Sequence, residues 1–184
     1  MFRNSFLHQT VISFTFLVFG LIFYPRLALA NEPLAEPTRL VIPTIALDNI
    51  IVPVGLKTVE ANGQSYLQWI TDDNQIGWHN LTVPLGRVGN TVLNGHSDIH
   101  AKVFKNLEQA EIGSEIIVYS GDQAYHYIIT EKLLVQEKGA SVEQRLEHAK
   151  LILPTQDERL TLITCSQTGA THRLVVIAHR IPAN

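Results

Sequence analysis

From Arg39 to Arg180 the chain is a succession of short runs rich in Val, Ile, Leu, Thr and Tyr, each cut off by Gly, Pro, Asn or Asp. Runs of this length cannot sustain independent helices, and their β-branched content favours extended backbone. Pro43 and Pro53 break "RLVIPTIALDNIIVPV" into two short strands about a turn near Asp48-Asn49. "GQSYLQWI", "NTVLNGH", "SEIIVYS", "AYHYIITEKLLVQ", "KLILP", "RLTLITC" and "HRLVVIAH" read as further strands. Asn62-Gly63, "PLGRVGN", Gly121-Asp122 and Pro154 supply turns between many of them. Only two stretches carry helical signals. In residues 98–110, Ile99, Val103, Phe104 and Leu107 recur at helical spacing behind Asp98. In "SVEQRLEHA", Ser141 precedes Gln144 by the three residues of a capping box. About eight or nine short strands with two short helices predict an all-β-dominated domain, closed as an antiparallel barrel so that no sheet edge is left open.

The length of 184 residues suits one globular domain, and 46% hydrophobic with 17% charged residues excludes a disordered chain. A net charge of -3 and the lack of any Lys/Arg-rich run set nucleic-acid partners aside. Residues 1–30 read as an export segment: Arg3, then the apolar run "VISFTFLVFGLIFY", then Ala28-Leu29-Ala30 in the A-x-A pattern of a cleavage site. The same segment could be retained as a membrane anchor, with Phe6 and Leu7 extending the apolar run. Both readings put the rest of the chain on the extracytoplasmic face. Residues 31–38, "NEPLAEPT", read as a linker, and 39–184 as the folded domain.

In an exported chain, cysteines are often paired. Here Cys165 is the only one, so it is a buried small apolar side chain, an intermolecular partner, or a working thiol. It ends the strand-like run "RLTLITC", where a rigid backbone meets a loop with room for a substrate. After "SQTGAT" the chain returns as "HRLVVIAHR", so a hairpin would put Arg173 close to Cys165, as a guanidinium beside a developing oxyanion. A nucleophilic thiol needs a proton acceptor, which is usually histidine. Among eight histidines, His96 is favoured by its glycine-flanked strand end in "NTVLNGHSD", while His79, His100, His172 and His179 remain candidates. His96, Asp98, His100 and Cys165 could also hold Zn²⁺, but "HSDIH" lacks the helical H-x-x-x-H spacing and there is no paired cysteine. The reading therefore assigns no metal and no cofactor.

Taken together, these residues resemble the sortases, membrane-associated cysteine transpeptidases that join proteins to cell-wall or pilin amines. The family's T-L-x-T-C motif is matched by Thr161, Leu162, Ile163, Thr164 and Cys165, its arginine on the next strand by Arg173, and its Gly-His after a strand by Gly95-His96. "RLVIPTIALDNIIV" and "VFKNL" are similar to the family's opening strands and to the short helix after its histidine. The resemblance runs over roughly residues 39 to 181 and leaves the subclass open. It implies an eight-stranded barrel, catalysis by Cys165, His96 and Arg173, and a place for Thr164 in the substrate pocket. The implied partners are proteins bearing an LPxTG-type sorting signal and an amine acceptor on cell wall or pilin. The alternatives are a cysteine hydrolase on the same barrel, sharing all three residues, and a secreted β-barrel binding module in which Cys165 is structural.

Overall fold

The computed structural model describes residues 34–61, 63–166 and 171–182. The export segment 1–30, residues 31–33 of the linker, Asn62 of the expected Asn-Gly turn and residues 167–170 of the loop after Cys165 lie outside the described residues.

Among the described residues ten strands form: β1 (Arg39–Ile42), β2 (Leu47–Val54), β3 (Leu56–Ala61), β4 (Gln64–Trp69), β5 (Ile76–His79), β6 (Gly89–Asn94), β7 (Glu115–Ser120), β8 (Gln123–Gln136), β9 (Glu158–Cys165) and β10 (His172–Arg180). Eight of them close a barrel in the order β1-β2-β5-β6-β9-β10-β8-β7, with β7 pairing back onto β1. The barrel is mixed. β2 runs parallel to β5, and β6 runs parallel to β9, which corrects the fully antiparallel expectation. Parallel neighbours need long crossovers. One is the β3–β4 hairpin, a separate two-stranded sheet, and the other is the excursion through β7, β8 and the helix.

The burial follows the topology. β5 and β6 are buried at every position, as strands covered on both faces are. Leu40, Ile42, Ile76, Leu93, Ile116, Tyr127, Leu160, Leu162 and Val176 fill the core. Phe104 and Leu107 join it from the segment expected to be a helix. That segment is instead a series of turns ending in a 3₁₀ turn at Leu107–Gln109. His100 and Lys102 take left-handed backbone angles (φ 53° and 52°), which an α-helix cannot accommodate. Asp48 and Asn49 lie within β2, because the first turn comes earlier: a 3₁₀ turn over Pro43–Ile45 with Ala46 left-handed at its end. "KLILP" likewise begins as a 3₁₀ turn, Lys150–Ile152. Among the described residues there is one α-helix, α1 (Val142–Ala149), and it starts where the capping box places it: Ser141 Oγ accepts from Gln144 N–H, and Gln144 Oε1 accepts from Ser141 N–H. Among the described residues no helix is long and apolar enough to cross a membrane.

The hairpin is fastened to the barrel beside one rim. Trp69 of β4 stacks on His79 of β5, with ring centroids 4.1 Å apart and planes 9° from parallel. Asn94 Nδ2 donates to the Ile70 carbonyl at 3.0 Å. Under the tryptophan, His79 is 3% exposed, and neither ring nitrogen has a hydrogen-bond partner. Burial pushes its pKa down to about 4. The unfolded chain therefore binds a proton that the folded chain refuses. Stability from this site is complete above about pH 6.5, and falls as the pH drops from there towards 4, by about 3 kcal/mol in all. Urea unfolding should show a shallower loss of stability between pH 7 and 4 in His79→Phe, which keeps a ring under Trp69 without a titrating group. Equal slopes in the two proteins would contradict this.

Candidate active site

Three neighbouring strands bring the candidate catalytic residues to one rim. β6 and β9 run side by side in the same direction, with Asn94 opposite Ile163. The pairing continues one step further through Gly95 N–H, which donates to the Ile163 carbonyl at 3.2 Å. His96 follows on one strand and Cys165 on the other. β10 returns antiparallel to β9 with Arg173 directly opposite Cys165, and directly opposed residues project to the same face. Arg173 Nη1 donates to Cys165 Sγ, while its Nε is ion-paired with Glu137 Oε2. The two contacts use two edges of one planar guanidinium and fix its orientation over the thiol. Cys165 is a free thiol with its side chain half-buried.

The turn carrying His96 is bonded to the strand carrying Cys165. Thr164 Oγ1 donates to the Gly95 carbonyl at 2.8 Å, and Ser97 Oγ donates to the Cys165 carbonyl at 2.7 Å. Phe104 N–H closes the turn onto the His96 carbonyl at 2.9 Å. Gly95 is glycine for a steric reason: a Cβ there would stand 2.7 Å from Val103 and 2.9 Å from the Phe104 ring. Thr164 borders the cleft but is itself buried, its hydroxyl engaged by the Gly95 carbonyl of the turn after β6.

The His96 pKa is held below the ordinary histidine value. Burial is the largest cause and the neighbouring His100 the next; Asp73 and Asp98 oppose them, and Arg173 adds to the depression. The imidazole rests in its neutral form at pH 7, as a proton acceptor requires. His96 and His100 lie with ring centroids 4.7 Å apart. Their Nε2 atoms face the same oxygen, Asp73 Oδ1, at 3.9 and 3.3 Å. These nitrogens and the carboxylate form the only grouping of potential metal ligands among the described residues. Asp98 and Cys165, considered from the sequence as partners in such a set, are not part of it.

Around these residues lies a cleft of about 670 Å³, lined by Leu67 and Trp69 of the hairpin and by Ile152 and Ile163. A second, more apolar groove of about 340 Å³ continues past Arg173 between Val135, Ala149 and Leu151. Of the other histidines, His126 pairs with Glu115 and His179 with Asp157, at a distance from Cys165 in the barrel wall. Asp73 and Glu137 were not singled out from the sequence. Asp73 carries only the turn signal of "TDDN", and Glu137 follows β8 at a place that depends on pairing with the distant Thr171 carbonyl.

Comparisons with known proteins bear on the family and the fold. A sortase-domain family model matches residues 40–181. Solved structures similar to the chain include a sortase D5 transpeptidase from Clostridium perfringens (20% identity, TM-score 0.58, covering 80% of this chain and 79% of that one). A lid mutant of sortase A from Corynebacterium diphtheriae is similar at 23% identity, with TM-score 0.61 and coverage of 80% and 71%. Sortase C1 from Streptococcus agalactiae is similar at 20% identity, with TM-score 0.59 and coverage of 80% and 68%. At these identities the structural likeness is one of fold. No curated protein matches the chain. With the family model spanning the whole barrel, and the barrel itself shared with sortases of several classes, the chain belongs to the sortase family of cysteine transpeptidases.

Proposed function

We propose that the protein is an extracytoplasmic sortase that cleaves an LPxTG-type sorting signal and transfers the acyl portion to an amine of the cell wall or of a pilin. Residues 1–30 would export or anchor it, 31–38 would serve as a linker, and 39–184 would be the catalytic domain. The observation that carries the reading is the placement of Arg173 opposite Cys165, donating to its sulphur, while His96 lies in the turn just past the end of the parallel strand next door.

In this reading Cys165 Sγ adds to the scissile backbone carbonyl carbon, and the thiol proton passes to the neutral His96 imidazole. The guanidinium of Arg173 donates to the oxyanion that develops. The resulting imidazolium protonates the departing amine as the C–N bond breaks, leaving a thioester on Cys165. An acceptor amine then attacks the thioester carbonyl and gives its proton to His96, and the sulphur leaves and regains a proton from the imidazolium. The apolar groove beyond Arg173 offers a place for the apolar residues of the signal. Thr164, whose hydroxyl holds the Gly95 carbonyl, would shape the pocket by fixing the histidine turn.

The test incubates the protein with LPxTG-type peptides and a small amine and reads the products by mass spectrometry. A Cys165-dependent amine adduct is expected. Cleavage without adduct would favour the hydrolase. A binding module would give neither.

Arg173→Lys keeps the charge but loses the fork, since one ammonium cannot face the thiol and Glu137 as the guanidinium does. Transfer is expected to fall about 10²–10³-fold in kcat, the size of losing a preorganised oxyanion donor. A loss below about tenfold would remove Arg173 from this role.

A further inference from the structure

We propose that Asp73, His96 and His100 form a binding site for a divalent transition-metal ion of the Zn²⁺ class at the cleft. Two imidazole Nε2 atoms face one carboxylate oxygen at 3.9 and 3.3 Å, and the three ligand atoms lie within 4.8 Å of one another. Zinc bonds of about 2.0–2.1 Å at tetrahedral angles place neighbouring ligand atoms about 3.3 Å apart. The His100–Asp73 separation already has that length, and the His96–Asp73 separation, 3.9 Å against 3.3 Å, is longer by 0.6 Å at a carboxylate that is exposed. Two histidines and one carboxylate with a fourth position left open are a zinc donor set, and imidazole nitrogen selects d-block ions over Ca²⁺ and Mg²⁺.

The two histidines come from one turn and Asp73 from another loop, and backbone contacts hold the two together. Ala101 N–H donates to the Asp73 carbonyl at 3.0 Å, tying the Asp73 loop to the His100 turn. Asp72 Oδ1 accepts from Asn74 N–H and Gln75 N–H and fixes the loop on the other side of Asp73. His100 is itself in the left-handed region, φ 53°, and its ring centroid lies 4.7 Å from that of His96. A simple orienting carboxylate for His96 does not describe this geometry. At 3.9 Å Asp73 is outside hydrogen-bond reach of His96, and the nearer imidazole belongs to His100. The positive charge of Arg173 close by is compensated by its ion pair with Glu137.

A bound ion would occupy the His96 Nε2 lone pair and stop that ring from taking a proton, so metal occupancy and transfer exclude one another. This consequence rests on the assignment of His96 to proton transfer, whereas the binding does not. The experiment uses the full chain carrying Cys165→Ala, which removes the thiol as a competing ligand, and titrates it with ZnCl₂ by calorimetry. One Zn²⁺ per chain is expected, with Asp73→Asn and His100→Ala each weakening binding at least about tenfold. Both side chains are exposed at the surface, and circular dichroism checks that the variants fold. Absence of binding, binding unchanged by both variants, or equal binding of Ca²⁺ would overturn the site. In the wild-type protein, Zn²⁺ should depress transfer, a chelator should restore it, and His100→Ala should raise the Zn²⁺ concentration needed at least about tenfold, whereas inhibition through the Cys165 thiol would be unchanged by that variant. Binding with the expected dependence but transfer unaffected would leave the site standing and remove His96 from proton transfer.

Discussion

Cys165→Ala is expected to abolish peptide-to-amine transfer, by about 10⁴-fold or more, while the barrel stays folded. No other residue of the chain can form the thioester, since Cys165 is the only cysteine. The substitution removes one half-buried sulphur at a strand end and none of the β9–β10 backbone pairing. Arg173 loses a partner but keeps Glu137, so no buried charge is stranded. Thermal unfolding should therefore move by only a few degrees, the scale of about 1 kcal/mol or less in a domain of this size. The decisive pair of measurements is adduct formation by mass spectrometry and melting temperature on the same sample. Full transfer by the alanine protein would end the nucleophile assignment. Lost transfer with a collapsed melting transition would mean that the sulphur supports the fold instead.

The barrel was legible because most of its strands announce themselves locally. "RLTLITC" and "HRLVVIAH" are long β-branched runs, and they form β9 and β10 as expected. β5, by contrast, is only Ile76–His79, and "IGWH" has neither the length nor the alternation of a strand read alone. It forms because β2 and β6 lie on either side of it. The mixed topology was hidden for a related reason: a parallel pair such as β6–β9 joins residues separated by a long crossover, and no local turn records it. The 98–110 segment shows a different failure. Of its periodic residues Phe104 and Leu107 are buried in the core while Ile99 is exposed, and apolar residues at helical spacing do not require a helix when His100 and Lys102 are left-handed.

The same division runs through the site. Cys165 and Arg173 could be paired from the sequence because they face one another across a single hairpin, whose register is local. His96 was favoured by its strand-end glycine, and the structure gives that glycine a steric cause in Val103 and Phe104. Asp73 and Glu137 had no such local mark. One reaches the cleft on a loop tied to the His100 turn, the other just past the end of β8 beside Thr171, and both placements depend on contacts between residues far apart in the chain.

His96→Ala is expected to lower transfer about 10²–10⁴-fold, the contribution of a positioned acid–base group, and to change the pH profile with it. Burial, His100 and Arg173 outweigh Asp73 and Asp98 and hold the His96 pKa below its ordinary value. The active form carries the neutral imidazole, so wild-type transfer should be flat near neutral pH and fall as the pH drops through the His96 pKa, below about 6.5. Residual transfer by the alanine protein should lack that acid limb, because the group that titrates there is gone. His100 supplies the competing explanation, with its ring centroid 4.7 Å from that of His96. Were His100 the proton carrier, His96→Ala would keep its acid limb and most of its activity, and His100→Ala would lose both. A kcat–pH series on the two single variants separates these outcomes, since a ring that only packs beside the other cannot carry the limb.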